Sequence, residues 1–199
     1  MLDEDAEVKN MMRAFVGIDI NEAVRQNLVA VQRQLTGTGA QMKLVEPENI
    51  HVTMKFLGDI REDQTGAITE ALQAAVEGIK PFEISVRGVG AFPNLGYIRV
   101  VWAGVSDGRE QIISIQKRID QNLVKMGFKP ERDFVPHLTL ARAKSAAGKE
   151  KLVSFLKNMA NAEFGSCRAD AIELKQSTLT PNGPIYSTLA RVELARSPI

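Results

Sequence analysis

The chain holds two histidines, His51 and His137, and each is followed two positions later by threonine: His51-Val52-Thr53 and His137-Leu138-Thr139. Nine of the 199 residues are threonine, so chance alone would set threonine at that offset from both histidines about two times in a thousand. In an extended strand, residues i and i+2 point to the same side. Each imidazole then shares a face with a hydroxyl, while Val52, Met54, Leu138 and Leu140 serve the opposite, apolar face. An imidazole beside a hydroxyl is a compact donor and acceptor unit. Two such units facing one cleft can surround a phosphate, with each ring exchanging a proton near neutral pH. Opening a cyclic phosphodiester needs this equipment. Water must lose a proton as it attacks phosphorus, and the departing ribose oxygen must gain one. One ring therefore starts neutral and the other charged.

Two other readings compete. A lone histidine on a sheet is commonly structural, but two in matched polar-faced strands argue against that. Catalytic zinc sites take three protein ligands, and no carboxylate stands two or four positions after either histidine. Cys167 is the one cysteine, isolated from both motifs. It excludes an intrachain disulfide and reads as a small buried filler. No metal and no cofactor are expected.

Strands and helices must position the two motifs. Residues 12–20 form an apolar run, and Asn21 suits the start of a helix in which Val24, Leu28, Val31 and Leu35 recur at helical spacing. Short strands at 41–45 and 50–57 flank the turn at 46–49. A second helix spans about 62–79, closed by Pro81. Alternation at 82–89, a turn-rich link through Gly96 and a strand at 97–103 follow. A third helix runs to Met126 with Gly127 as its stop, and a charged loop at 130–136 leads into a strand at 137–142. A fourth helix covers about 148–159. Two long strands, 168–179 and 185–194, are joined through Asn182-Gly183, a strong turn signal. The order gives an α+β fold with mostly antiparallel pairing. It reads as one bilobal domain over 1–199, with 1–11 as a flexible tail and two similar lobes meeting near 90–96.

A net charge of +1 excludes a basic coat for bulk nucleic acid but not a small substrate or a single strand end, which needs only a few placed cations. The acidic start, Met1-Leu2-Asp3-Glu4-Asp5, is unlike a signal peptide. No apolar run reaches the ~18 residues of a membrane span, so no membrane association is expected and the cytoplasm is the default.

Five further residues are candidates for substrate contact. Lys55 shares the His51 face by parity. Arg132 lies in the loop before the second motif. Arg142 is at an odd offset from His137 and would point away unless a bulge re-aims it. Phe56 is off the His51 face by parity, so core packing competes with base stacking. Tyr186 reads as core or groove wall.

Several stretches resemble the 2H phosphoesterase superfamily, and within it the bacterial and archaeal RNA 2′,3′-cyclic phosphodiesterases once called 2′–5′ RNA ligases. They are residues 12–18 (Met-Arg-Ala-Phe-Val-Gly-Ile), 47–58 around the first motif, Gly88-Val89-Gly90-Ala91-Phe92-Pro93, residues 136–142 around the second motif, and 177–186. The resemblance runs over about residues 12–195. It implies a bilobal fold with pseudo-twofold symmetry and a central groove carrying both motifs. It also implies that His51 is the proton donor to the leaving 3′ oxygen and His137 the acceptor that activates water, giving a 2′-phosphomonoester. The expected partners are RNA 3′ ends or oligonucleotides bearing a 2′,3′-cyclic phosphate, met by a monomer with no obligate protein partner. Joining or cleaving 2′–5′ bonds with the same site is the sibling activity. A non-catalytic RNA-end binding module is the alternative of a different class.

Overall fold

A computed structural model describes residues 11–181 and 183–195. The elements, in chain order, are β1 (Met11–Asp19), α1 (Glu22–Gly37), β2 (Met42–Leu44), a 3-10 turn at Pro47–Asn49, β3 (His51–Arg61), α2 (Gln64–Val76), β4 (Phe82–Asn94), β5 (Tyr97–Val105), α3 (Arg109–Val124), β6 (His137–Ala143), α4 (Lys149–Asn158), β7 (Glu163–Ala169), β8 (Ala171–Thr180) and β9 (Gly183–Glu193). One curled antiparallel sheet carries them in the order β7-β4-β5-β6-β3-β1-β8-β9, with β2 beside β6. The expected α+β class and antiparallel pairing are what the chain adopts.

The helices cover one side of the sheet because their apolar stripes must be buried. In α1, Val24, Leu28, Val31 and Leu35 are buried, and the Asn21 side chain caps the helix by accepting from the Val24 N–H at 2.9 Å. In α3, Ile112, Ile115, Ile119 and Leu123 are fully buried. Each such side chain contributes roughly 1.5–3 kcal/mol. α2 and α3 pack on each other and on β3, whereas α1 packs on β6 and β7 and α4 on β4. Helix α1 thus follows β1 in the chain but packs on strands of the other half of the sheet.

Three expectations change. Met11, placed in a tail, is the first residue of β1 and pairs with Arg61; the rest of that tail, 1–10, lies outside the described residues, as does Asn182 of the expected turn. Residues 90–96, expected between the lobes, form the β4–β5 hairpin, both strands of which lie in the same half of the sheet. The strand expected over 168–179 is two strands: β7, which reaches back to Glu163 and pairs with β4, and β8, which pairs with β1.

The halves of the sheet meet through one residue pair, Val52 on β3 with Leu138 on β6, both with no exposed surface. These are the middle residues of the two motifs. Continuing the antiparallel register sets His51 opposite Thr139 and Thr53 opposite His137, all four on the side away from the helices.

Candidate active site

That side of the seam is a cleft of about 510 Å³, lined by His51, Thr53, His137 and Thr139 among others. The two rings are held alike. His51 Nδ1 donates to the Asn49 carbonyl at 2.8 Å, and His137 Nδ1 donates to the Val135 carbonyl at 2.7 Å. A carbonyl only accepts, so each Nδ1 carries the proton and each Nε2 is left to the cleft. His51 Nε2 lies 2.8 Å from the Thr53 hydroxyl. Aromatic rings fix both orientations. Phe15 stacks on His51 at 4.8 Å and Tyr186 meets it edge-on at 5.5 Å, while Phe92 meets His137 edge-on at 4.9 Å. Gly17 leaves the first ring its space: a Cβ there would come within 3.1 Å of His51 Cδ2 and 3.0 Å of the Val52 carbonyl.

Burial pulls the His51 pKa down to about 4, against the opposing pull of its Asn49 hydrogen bond and the nearby Asp19 carboxylate. Burial also lowers the His137 pKa, again opposed by its carbonyl partner and aided by the neighbouring Arg142 cation. Both shifts favour the neutral rings near pH 7. An anion beside them would favour their charged forms.

Beyond each threonine the strand breaks its alternation. Thr53 pairs with Gly17 but Lys55 with Val16, so Met54 is an extra residue in β3. Thr139 pairs with Trp102 but Ala141 with Val101, so Leu140 is an extra residue in β6. Each bulge sits three residues after its histidine. Such a bulge turns later side chains to the other face. Met54 and Lys55 are both buried, as are Leu140 and Ala141. Phe56 and Arg142, each five residues after a histidine, line the cleft and are exposed there.

The bulges bear on two residues read by parity. Lys55 lines the cleft, but its ammonium is turned to protein partners, bonding Asp120 Oδ1 on α3 at 2.5 Å and the Lys129 carbonyl at 2.7 Å, with 1% of the side chain exposed. Phe56, for which core packing competed with base stacking, is 67% exposed on the cleft. Arg142 takes the bulge-directed position. It lines the cleft directly across from Lys43 of β2 and forms no hydrogen bond or ion pair among the described residues. Tyr186 is a wall of the cleft beside His51. Arg132 is exposed, and its neighbours Glu131 and Asp133, not Arg132, line the cleft. Phe15, Phe92, Lys43 and Asp120 went unmarked in the sequence as parts of the site. Nothing local in it announces their contacts, although Phe15 and Phe92 stand within the stretches that carry the resemblance. Among the described residues, no group of three or more His, Cys, Asp or Glu is placed to hold a metal ion, and no helix is long and apolar enough to cross a membrane.

Comparison with known proteins places the chain among similar sequences and folds. A family model described as LigT like phosphoesterase matches residues 18–102 and 104–186, one motif in each segment. The RNA 2′,3′-cyclic phosphodiesterase of Methanothermobacter thermautotrophicus is 45% identical over 178 residues, covering 89% of this chain and 96% of that one. The protein of the same name from Methanocaldococcus jannaschii is 41% identical, covering 89% and 98%. Among solved structures, a Thermus thermophilus protein superposes with a TM-score of 0.77 at 27% identity, over 92% of this chain and 98% of that chain. Escherichia coli LigT in its apo form gives 0.74 at 21% identity over 94% and 99%, a likeness of fold.

Proposed function

The chain belongs to the LigT like phosphoesterase family, and on that premise we propose that it hydrolyses RNA 2′,3′-cyclic phosphate ends to 2′-phosphomonoesters by general acid–base catalysis. One observation carries the reading: two imidazoles, each anchored through Nδ1 to the carbonyl two residues before it, present Nε2 to a single cleft.

His137 Nε2, which has no hydrogen-bond partner among the described residues, takes a proton from water as the water oxygen bonds to phosphorus. His51 Nε2, once protonated, gives its proton to the 3′ oxygen as the P–O3′ bond breaks. The products are a 2′-phosphomonoester and a free 3′ hydroxyl, and solvent returns the two rings to their starting states. The cyclic phosphate anion itself supports the initial charge on His51, whose pKa burial otherwise lowers to about 4. The Thr53 and Thr139 hydroxyls are proposed as donors to the nonbridging oxygens. Arg142 and Lys43, adjacent across β6 and β2, offer positive charge at one end of the cleft. The exposed Phe56 ring and Tyr186 offer apolar faces for a base.

Incubating the protein in EDTA with an oligonucleotide ending in a 2′,3′-cyclic phosphate should yield 2′-phosphate ends. A 3′-phosphate product would reverse the choice of leaving oxygen. Loss of activity in EDTA, recovered by one particular divalent ion, would replace the two-histidine mechanism with metal catalysis.

Valine at Thr53 or Thr139 keeps the β-branched shape and removes the donor. Losing one hydrogen bond to a charged group costs roughly 1.5–3 kcal/mol, so each variant is expected to lose about 10- to 150-fold in kcat/KM. Unchanged kinetics in both would assign these threonines to strand propensity alone.

A further inference from the structure

The buried Lys55–Asp120 pair lies outside the chemistry above, yet it connects the two motifs. Lys55 is four residues after His51, just past the Met54 bulge, and is buried. Its ammonium holds the Asp120 carboxylate and the Lys129 carbonyl. The same oxygen of Asp120 accepts the Glu131 backbone N–H at 2.9 Å. Residues 129 and 131 are thus fastened at the start of the segment that leads into β6. That segment then passes through Asp133, the one non-glycine among the described residues with positive φ (55°), and ends at Val135, whose carbonyl receives His137 Nδ1–H. Glu131, Asp133, Phe134 and Val135 form one wall of the cleft.

We propose that Lys55 and Asp120 are positioning residues for His137: by fixing the path of residues 129–135, they place the Val135 carbonyl that sets the tautomer and direction of the ring. The physical reasoning is direct. Two hydrogen bonds from one buried ion pair clamp a segment that is otherwise irregular, and a left-handed aspartate persists only where its surroundings hold it. If Val135 drifts, Nδ1 loses its acceptor, the proton redistributes between the ring nitrogens, and Nε2 is no longer the lone-pair donor aimed at water. The proposal takes from the functional reading only that His137 is the base; its structural part stands on the hydrogen-bond chain.

The test uses the full chain, which has only two imidazoles to observe. Ring ¹⁵N shifts, assigned with His51→Gln, should show His137 as the Nδ1–H tautomer in the wild type. Lys55→Met keeps the buried stem and removes the ammonium. It should give His137 a mixture of tautomers, leave the His51 signals in place, and lower kcat by about 10- to 100-fold, the scale of a small misplacement of a catalytic group, with a smaller effect on KM. Lys55→Met leaves Asp120 without its partner, so Lys55→Met with Asp120→Leu, which also removes the acceptor of the Glu131 N–H, is the decisive variant. Removing both charges should restore the melting temperature while the His137 tautomer shift and the loss of kcat remain. Lys55→Arg should recover part of the rate. A wild-type His137 tautomer in the folded double variant would overturn the proposal, whatever its activity. A shifted tautomer in a protein whose wild type does not hydrolyse cyclic phosphates would uphold the positioning and refute the proposed function instead.

Discussion

His51→Ala is expected to lose about 10²–10⁴-fold in kcat on cyclic-phosphate RNA ends and to regain most of that loss on a phosphodiester whose leaving oxygen is a nitrophenolate. The reason is the leaving group. A ribose alkoxide departs only if it is protonated, and the proposed donor is His51 Nε2. A nitrophenolate leaves without much help, so the acid is no longer needed. His137→Ala should show a similar loss on RNA and stay impaired on the activated ester, because water must still give up its proton. Double substitution should cost less than the product of the single losses, since residues that act as a unit are not additive.

The outcomes separate the roles that the near-symmetric geometry does not. The two rings share an anchor to a preceding carbonyl, an aromatic neighbour and a bulge three residues later. What distinguishes them is the setting: His51 packs against Phe15 and Tyr186, which also touch each other, whereas His137 has Phe92 on one side and Arg142 nearby. Rescue of His137→Ala and not of His51→Ala would reverse the assignment. Normal hydrolysis by both single variants would remove general acid–base catalysis and leave a module that binds RNA ends.

The sequence showed the two His-x-Thr strands because a period of two is visible in a short run, and because only two histidines were there to be compared. The four helices were visible for the same kind of reason, as in the Ile112, Ile115, Ile119, Leu123 stripe of α3. What lay beyond was lost at the bulges. Met54 and Leu140 are ordinary strand residues, and neither marks an insertion in the ladder. Parity carried past Met54 offered the Lys55 ammonium to a phosphate and weighed core packing for Phe56, whereas the ammonium is buried on Asp120 and Phe56 is exposed on the cleft. Setting the motifs side by side would have aligned Phe56 with Arg142, but the turn of the strand is a matter of pairing with β1 and β5, which a single strand does not contain. The strand β7 was hidden because Gly165, at φ 95°, interrupts the alternation of Phe164, Cys167 and Ala169. The Lys55–Asp120 contact joins residues 65 positions apart through helix packing, and no local pattern records it.

Folding stability should fall in acid by roughly 2 kcal/mol more in the wild type than in His51→Gln between pH 7.5 and 4.5. The His51 ring is about 4 in pKa when folded, lowered chiefly by burial, against an ordinary value of 6.5. Between those values the unfolded chain binds the proton and the folded chain does not, so stability rises with pH. It is full above about pH 6.5 and is lost as pH falls, the loss completing below about pH 4. At roughly 1.4 kcal/mol for each pH unit of difference, the wild type has most of that loss by pH 4.5. His137 acts in the same direction, and the carboxylates, including the hydrogen-bonded Glu173 that titrates low, act alike in both proteins and cancel in the comparison. Urea denaturation of the two proteins at both pH values measures the difference. Parallel losses would mean that His51 is not held neutral by its surroundings. The same experiment reaches the mechanism through an anion. Sulfate keeps its charge over this range, so if it binds between the rings it should favour the charged imidazole and raise the wild-type melting temperature more at pH 5.5 than at pH 8. His51→Gln, with one titrating ring removed, should show a smaller difference between the two pH values. Equal stabilisation by sulfate at both pH values in the wild type would count against loading of the acid by the substrate's own charge, and the proton on His51 would then have to come from another source.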